Sequence, residues 1–163
     1  MTSDYERALA ANASYAAGFR HAELAKPPRR RLAVIACMDA RITVEDVLGL
    51  QTGDAHVIRN AGGLATDDAI RSLVISQQLT GTDEVLVIEH TDCGMLAFTD
   101  TAMQDRLRAE TGTDADLPLL AFTDLAGNLR EQVAIIRDHP WTKDVPVHGL
   151  IYDVATGRLA AVD

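Results

Sequence analysis

Two short apolar runs constrain the fold of this chain more than any other feature of its sequence. Leu32–Ala36 and Val85–Ile88 are apolar at every position and lack the alternation of a strand with one face in water. Strands of this kind are buried on both faces, as in parallel sheets that helices cover on each side. The two runs therefore predict an α/β protein with a mostly parallel central sheet flanked by helices.

The order of the remaining patterns is typical of βαβ units. Helices are predicted from about Thr43, over 66–79 and over 125–136, with a further helical stretch after residue 94. Additional strands are predicted over 56–59 and 148–154. A turn at 153–158 and the apolar segment 159–162 then predict an antiparallel C-terminal edge strand. The sheet should have about five strands.

An N-terminal helix is predicted to stand apart from this core. Residues 4–19 are rich in alanine, and Pro27 and Pro28 follow them, where they deny the backbone helical geometry and hydrogen-bond donors. The length of the chain suits one hydrophobic core. We therefore expect a single domain over 1–163, composed of an N-terminal helical arm (1–25) and an α/β core (32–163).

Composition argues against several classes of partner. A formal net charge of -9 does not suit nucleic-acid binding, which needs a clustered positive surface. The basic cluster 29–31 is short and is interpreted as a solvated edge before a strand. The apolar runs are far shorter than the ~20 residues that span a bilayer, and the N-terminus lacks an export pattern. We expect no nucleic-acid or membrane partner and a cytoplasmic location, where both cysteines would be thiols.

Three side chains suited to zinc follow the two apolar runs. Cys37 comes directly after the first run, and His90 and Cys93 come just after the second. Ligands of open α/β sheets gather beyond the carboxyl ends of the strands, where neighbouring strand ends meet. Thiolate and imidazole suit Zn²⁺, and three protein ligands leave an open fourth position, as catalytic sites require. The alternative for an isolated cysteine is a small buried hydrophobic residue.

A carboxylate and a guanidinium lie close to the first cysteine in sequence. Asp39 and Arg41 follow Cys37 at two-residue intervals. Arginine grips a carboxylate with two parallel hydrogen bonds, so this pair can form an oriented dyad that faces the open metal position. The alternative is a salt bridge that caps the next helix. Asp92, between the later ligands, would orient a neighbouring group or cap the helix that follows.

Three segments, in order, resemble the motifs of the β-carbonic anhydrases, most closely those of the short microbial branch. They are Cys37-Met38-Asp39-Ala40-Arg41, Ile58-Arg59-Asn60-Ala61-Gly62 and His90-Thr91-Asp92-Cys93-Gly94. The similarity extends from about Leu32 to the C-terminus.

This resemblance implies an activity and a set of partners. It implies reversible hydration of carbon dioxide to bicarbonate and a proton, with Zn²⁺ held by Cys37, His90 and Cys93. Zinc-bound hydroxide would be the nucleophile, and Asp39 and Arg41 would be the catalytic dyad that orients it. The leading helix resembles the arm that such enzymes wrap around a partner, which implies a homodimer, or a tetramer built from dimers.

Two other functions remain open from the sequence. Some enzymes that resemble β-carbonic anhydrases hydrolyse carbonyl sulfide instead, and the motifs do not separate the two activities because the pocket walls set the preference. The chain would alternatively be a non-catalytic, zinc-stabilised binding protein if Asp39 permanently closed the zinc tetrahedron.

Overall fold

A mostly parallel sheet forms the centre of the computed structural model, which describes residues 2–114 and 116–162. The strands within this range are β1 (Leu32–Cys37), β2 (Ala55–Asn60), β3 (Glu84–His90), β4 (Val147–Tyr152) and β5 (Leu159–Val162). Their order across the sheet is β2-β1-β3-β4-β5. All neighbouring pairs are parallel except β4 and β5, which are antiparallel. The predicted fold class, including its antiparallel edge strand, is confirmed.

Helices precede the sheet and connect its strands. They are α1 (Asp4–Ala17), α2 (Val44–Leu48), α3 (Asp67–Thr80), α4 (Asp100–Thr111) and α5 (Leu125–Asp138). Side-chain caps explain several of the starts, because the hydroxyl of Thr66 accepts from the backbone at the start of α3 and Asp124 does the same for α5. α2 is short because Gly49, in the left-handed conformation, ends it after one turn. No helix in the described residues is long and apolar enough to cross a membrane.

The interior strand β1 separates two apolar layers, and all of its residues are buried. On one face, Ile35 belongs to the cluster that contains Leu73 of α3 and Leu129 of α5. On the other face, Val34 belongs to the cluster that contains Ile42. Fully burying a side chain of this size contributes ~1.5–3 kcal/mol. Burial on both faces is the physical reason that the strand shows no polar alternation in the sequence.

The parallel pairing of β1 with β3 brings the ends of these two strands together. Ala36 pairs with Ile88, near the carboxyl end of each strand. Cys37 is the last residue of β1 and His90 is the last residue of β3. A short 3₁₀ turn over Gly94–Leu96 follows β3. The sheet therefore places the first two candidate ligands at adjacent strand ends and the third just beyond.

The basic cluster before β1 is paired with acidic side chains. Arg29 Nε donates to Asp54 Oδ1 at 2.9 Å, and Arg30 Nε lies 3.3 Å from Asp54 Oδ2. Arg31 Nε donates to Asp83 Oδ2 at 2.5 Å. The Asp54 side chain is only 7% exposed, and it also accepts from the backbone amide of Gln51. This backbone hydrogen bond and the hydrogen bond from Arg29 lower the pKa of Asp54. The cluster thus joins the start of β1 to the turn before β2.

The substitution Asp54→Asn should lower the melting temperature by several degrees at pH 7, because it removes the charge that two arginines share. The folded pKa of Asp54 is below its unfolded value, so its stabilisation is present above the unfolded value and disappears as pH falls through the folded one. The difference in thermal melts should therefore shrink below about pH 4.

Asp83→Asn is the matched control, because it removes the same charge from a side chain that is half exposed. Its effect on the melting temperature should be small. Equal effects from the two variants would contradict the structural role of Asp54.

Candidate metal centre

The candidate ligands Cys37, His90 and Cys93 meet in one buried cluster. Their ligand atoms all lie within 4.8 Å of one another, and all three residues are buried. His90 Nε2 lies 3.2 Å from Cys37 Sγ, and the two sulfur atoms are 4.0 Å apart. The structure thus brings together all three residues for which the sequence predicted metal binding.

The backbone around His90 selects the tautomer that leaves Nε2, the nitrogen facing Cys37, free of a proton. His90 Nδ1 lies 2.8 Å from the carbonyl oxygen of Thr91, and a carbonyl can only accept a hydrogen bond. The proton therefore resides on Nδ1, and the lone pair of Nε2 points into the cluster. A hydrogen bond of this kind is the usual support of a metal-binding histidine.

The donor spacing fits a tetrahedral zinc ion. Zinc–sulfur bonds of ~2.3 Å in tetrahedral geometry imply a separation of roughly 3.8 Å between two ligand sulfur atoms. The separation between Cys37 and Cys93 in this structure is 4.0 Å. Two thiols and one imidazole are also the donor types that zinc prefers. The residues present therefore fit the metal that the sequence predicted.

The acid–base chemistry of the thiols also suits a cation site. Burial, together with the nearby Cys37, raises the pKa of the Cys93 thiol to about 11. Two neighbouring thiolates would repel each other in such a place without a positive charge between them. The raised pKa means that the neutral thiol is favoured. A coordinated cation favours the thiolate instead and so deprotonates the thiols that bind it. Metal uptake at this cluster should therefore release protons.

Asp39 and Arg41 form a paired dyad beside the cluster. Asp39 Oδ1 accepts from the backbone amide and Nε of Arg41 at 2.8 and 2.9 Å, and Oδ2 accepts from Nη2 at 2.8 Å. These hydrogen bonds hold the pKa of Asp39 well below its usual range. Asp39 Oδ2 lies 3.7 Å from His90 Nε2. An ionised carboxylate is thus held by Arg41 next to Nε2 of His90.

Arg59 of β2 fixes the backbone of the loop that carries the dyad. Its Nε and Nη2 donate to the carbonyl oxygen of Cys37 at 3.0 and 2.7 Å. Nη2 also donates to the carbonyl oxygen of Asp39 at 2.7 Å. One guanidinium therefore binds the carbonyl oxygens on either side of Met38 and fixes the chain where it leaves β1.

The turn after β2 packs against the same strand ends. Asn60 Oδ1 accepts from the amide of Leu64, and its Nδ2 donates to the carbonyl of Leu64 at 2.7 Å, which closes the turn. Inside the turn, Gly63 has a φ of +74°, and a Cβ there would lie 2.7 Å from Ile88 O and 2.8 Å from Cys37 N. Such distances leave no room for a side chain, so glycine is required at this position.

Behind the cluster, Glu89 is a buried carboxyl group that sequence reasoning missed. Its Oε1 accepts from Asn128 of α5 at 2.6 Å, and burial raises its pKa to about 8. Asn128 in turn accepts from Gln132, which binds the amide of Ala65. In the sequence, Glu89 looks like a solvent-facing residue at the end of a strand. No periodicity or motif indicates that it is buried or that it contacts Asn128.

Comparisons with known proteins agree with this geometry. A family model described as "Carbonic anhydrase" matches residues 32–117. Beta-carbonic anhydrase 1 of Mycobacterium tuberculosis (strain ATCC 25618 / H37Rv) is 45% identical over 163 residues, covering 99% of this chain and 98% of that protein. A carbon disulfide hydrolase of Acidithiobacillus thiooxidans is 42% identical over 158 residues, covering 82% of this chain and 77% of that protein. The crystal structure of a carbonic anhydrase from Streptococcus mutans matches with a TM-score of 0.95 and 42% identity, covering 100% of this chain and 99% of that one.

The fold and the site together define an α/β protein with a cysteine–histidine–cysteine cluster at the end of a parallel sheet. With the full-length similarity just described, this chain belongs to the β-carbonic anhydrase family. The resemblance seen in the three sequence motifs is confirmed.

Substitution of Gly63 tests the packing of the turn against β1 and β3. Gly63→Ala should lower the free energy of unfolding by ~2–4 kcal/mol, because the new Cβ displaces the backbone of β1 or β3 and the left-handed conformation is strained. Gly49→Ala is the matched control: its φ is +61°, and no atom lies within 4 Å of the position that a Cβ would occupy there. The control should cost only ~1 kcal/mol in urea unfolding. Equal losses would contradict a steric requirement at Gly63.

Proposed function

We propose that the chain catalyses the reversible hydration of carbon dioxide to bicarbonate and a proton, with Cys37, His90 and Cys93 as ligands of a zinc ion. One observation carries the proposal: three zinc-type donors lie together at adjacent strand ends, beside an aspartate that an arginine holds. The full-length similarity to a protein named beta-carbonic anhydrase 1 supports it.

The protein side chains would bind, orient and hold charge around the reacting molecules. Zinc, when bound, would supply a Lewis acid that makes a water molecule nucleophilic near neutral pH. Asp39, ionised and 3.7 Å from His90 Nε2, would accept a hydrogen bond from the attacking water and so aim its lone pair at the carbon of CO₂. Arg41 would keep Asp39 ionised and correctly turned through its two parallel hydrogen bonds.

The contacts of Asp39 favour this role over a purely structural zinc site. A fourth protein ligand would require Asp39 to turn an oxygen toward the metal, but both of its oxygens accept hydrogen bonds from Arg41. An aspartate that remains on Arg41 leaves a coordination position open for water, as catalytic zinc sites require. The non-catalytic binding protein is therefore the weaker interpretation.

Sulfur-containing analogues of CO₂ are the second candidate substrates. Relatives named carbon disulfide hydrolase are 42% and 40% identical to this chain, so identity alone separates the activities poorly. Coverage favours carbon dioxide, because the chain spans 98% of beta-carbonic anhydrase 1 but only 77% and 78% of these two hydrolases. Carbonyl sulfide, the alternative substrate considered from the sequence, is also a sulfur-containing analogue of CO₂ and belongs to this second candidate function.

Stopped-flow assays on one zinc-loaded sample, with carbon dioxide, carbonyl sulfide and carbon disulfide in turn, test the function. We expect carbon dioxide to give the highest kcat/KM, by at least about tenfold. A preference for either sulfur compound would assign the chain to the second class, and no turnover of any of the three by a zinc-replete sample would overturn the enzymatic proposal.

Two substitutions should separate metal binding from catalysis. Cys37→Ser should remove both zinc and activity, because a site with three protein ligands loses affinity sharply when one is replaced. Arg41→Ala should retain its zinc but lose most of its kcat/KM, by about 10²-fold, because Asp39 is then no longer oriented. Metal analysis and CO₂ assays on both variants are the measurements. An active, zinc-replete Cys37→Ser protein would contradict the ligand assignment.

The N-terminal helix supports a proposed homodimer, from which a tetramer can be built. No residue of α1 is buried, and its apolar side chains Tyr5 and Leu9 are 73% and 56% exposed. A helix of 14 residues is marginally stable in water without tertiary contacts. We infer that the arm over 1–25 packs on a second copy of the chain.

Charge placed on the apolar side of this helix should weaken the dimer. Leu9→Asp should shift the sedimentation profile toward the monomer, because it would bury an unpaired carboxylate at the interface. Ser14→Asp, five positions further and on the other side of the helix, adds the same charge and should leave the profile unchanged. Identical profiles for the two variants would contradict the arm as the contact.

A cytoplasmic location is also part of the proposal. Cys37 and Cys93 are both free thiols and lie close enough to bind one metal ion. The ligand role requires them to stay reduced, which a reducing compartment ensures. Cell fractionation with an antibody to the chain would test this location.

A further inference from the structure

The guanidinium of Arg41 divides its hydrogen bonds equally between two aspartates. Two go to the side chain of Asp39, from Nε and Nη2. The other two go to Asp92: Nη1 donates to the carboxylate oxygen Oδ2 at 2.8 Å, and Nη2 donates to the main-chain carbonyl oxygen at 3.0 Å. Hydrogen bonds to Asp39 and then to Asp92 raise the pKa of Arg41. The guanidinium is therefore held at two edges: Nε and Nη2 bind Asp39, and Nη1 and Nη2 bind Asp92.

The backbone of Asp92 is shaped for this contact. Its φ is +55°, a left-handed conformation that few residues other than glycine adopt but that aspartate and asparagine tolerate. Asp92 lies between the ligand-type residues His90 and Cys93 in sequence, and in this conformation its carbonyl oxygen accepts from Arg41. A left-handed non-glycine residue beside a candidate active site is a recognised sign of a functional constraint.

The loop that carries Asp92 is anchored to the sheet. The amide of Thr91 donates to the carbonyl of Tyr152 at 2.9 Å, which extends the pairing of β3 with β4. Thr91 Oγ1 accepts from the amide of Val154 at 3.1 Å. Asp92 therefore presents its carboxylate from a supported position, and it does not depend on the dyad loop for its own placement.

We propose that Asp92 is a positioning residue that holds Arg41 in place independently of Asp39. This inference rests on the proposed carbonic anhydrase activity and deepens it. An arginine held only by Asp39 would move together with that carboxylate. An arginine held also by Asp92 gives Asp39 a fixed partner, so that the carboxylate keeps its direction while water and bicarbonate exchange beside it.

An ordinary surface ion pair is the competing explanation, because Asp92 and Arg41 have side chains that are 78% and 46% exposed. Exposed pairs of this kind contribute little to stability. The two explanations differ in what they predict for catalysis. A surface pair would not affect kcat/KM, whereas a positioning residue affects kcat/KM only while Arg41 is present.

A double-mutant cycle on the zinc-loaded full chain distinguishes them. Asp92→Gly keeps the left-handed backbone and the carbonyl but removes the carboxylate, and it should lower kcat/KM for CO₂ about three- to tenfold with zinc content unchanged. Asp92→Asn keeps a side-chain oxygen acceptor and should restore kcat/KM to within about twofold of the unsubstituted protein. In the Arg41→Ala background, Asp92→Gly should have no further effect.

Asp83→Gly is the matched control, since it breaks an exposed pair with Arg31 at the far end of the sheet. It should leave kcat/KM unchanged. The proposal is overturned if Asp92→Gly has no effect, has the same effect with and without Arg41, or loses zinc.

A second measurement does not depend on turnover. Nitrogen-15 spectra of arginine side chains, assigned by the loss of the Arg41 signals in Arg41→Ala, report rotation of the guanidinium. We expect slow rotation in the unsubstituted protein and in Asp92→Asn, and faster rotation in Asp92→Gly. Unchanged rotation in Asp92→Gly would overturn the proposal. An unsubstituted protein that fails to hydrate CO₂ would instead overturn the proposed function, and the rotation measurement would still decide the role of Asp92.

Discussion

The parallel pairing of β1 with β3 is the constraint on which the rest of the site depends. Both strands are central in the sheet and are buried on both faces, so their positions are fixed by apolar layers above and below. Their carboxyl ends bring Cys37 and His90 within 3.2 Å of each other. The requirement for glycine at position 63, where the turn after β2 touches both strands, follows from the same close packing.

Two arginines turn this rigid end of the sheet into a polarised site. Arg59 binds the carbonyl groups of Cys37 and Asp39, and it thereby sets the path of the loop. Arg41 binds the carboxylate of Asp39 and keeps it ionised. Each arginine is thus matched with acceptors of the site, Arg59 with two carbonyl oxygens and Arg41 with the carboxylates of Asp39 and Asp92. The backbone and the dyad are each held by a planar fork of donors, which a lysine would not supply.

Much of this architecture follows from local sequence patterns. The apolar runs of β1 and β3 predict buried parallel strands, and the ligands at their ends then follow from sheet geometry. Contacts between residues far apart in sequence were harder to predict. The ion pair between Arg41 and Asp39 could be predicted because the two residues are close in sequence. The second ion pair of Arg41, with Asp92, could not, because it spans 51 positions. Glu89 gave no signal, because its burial depends on how α5 packs.

X-ray absorption spectroscopy of the zinc-loaded protein tests the central claim most directly, which is that two sulfur atoms and one nitrogen atom of this cluster bind the metal. We expect a first shell with two sulfur ligands at ~2.3 Å, one imidazole nitrogen at ~2.0–2.1 Å and one further light atom. The Cys93→Ser variant should lose most of its zinc, and any zinc that it retains should show at most one sulfur ligand. A first shell without sulfur, or one that Cys93→Ser leaves unchanged, would contradict the account.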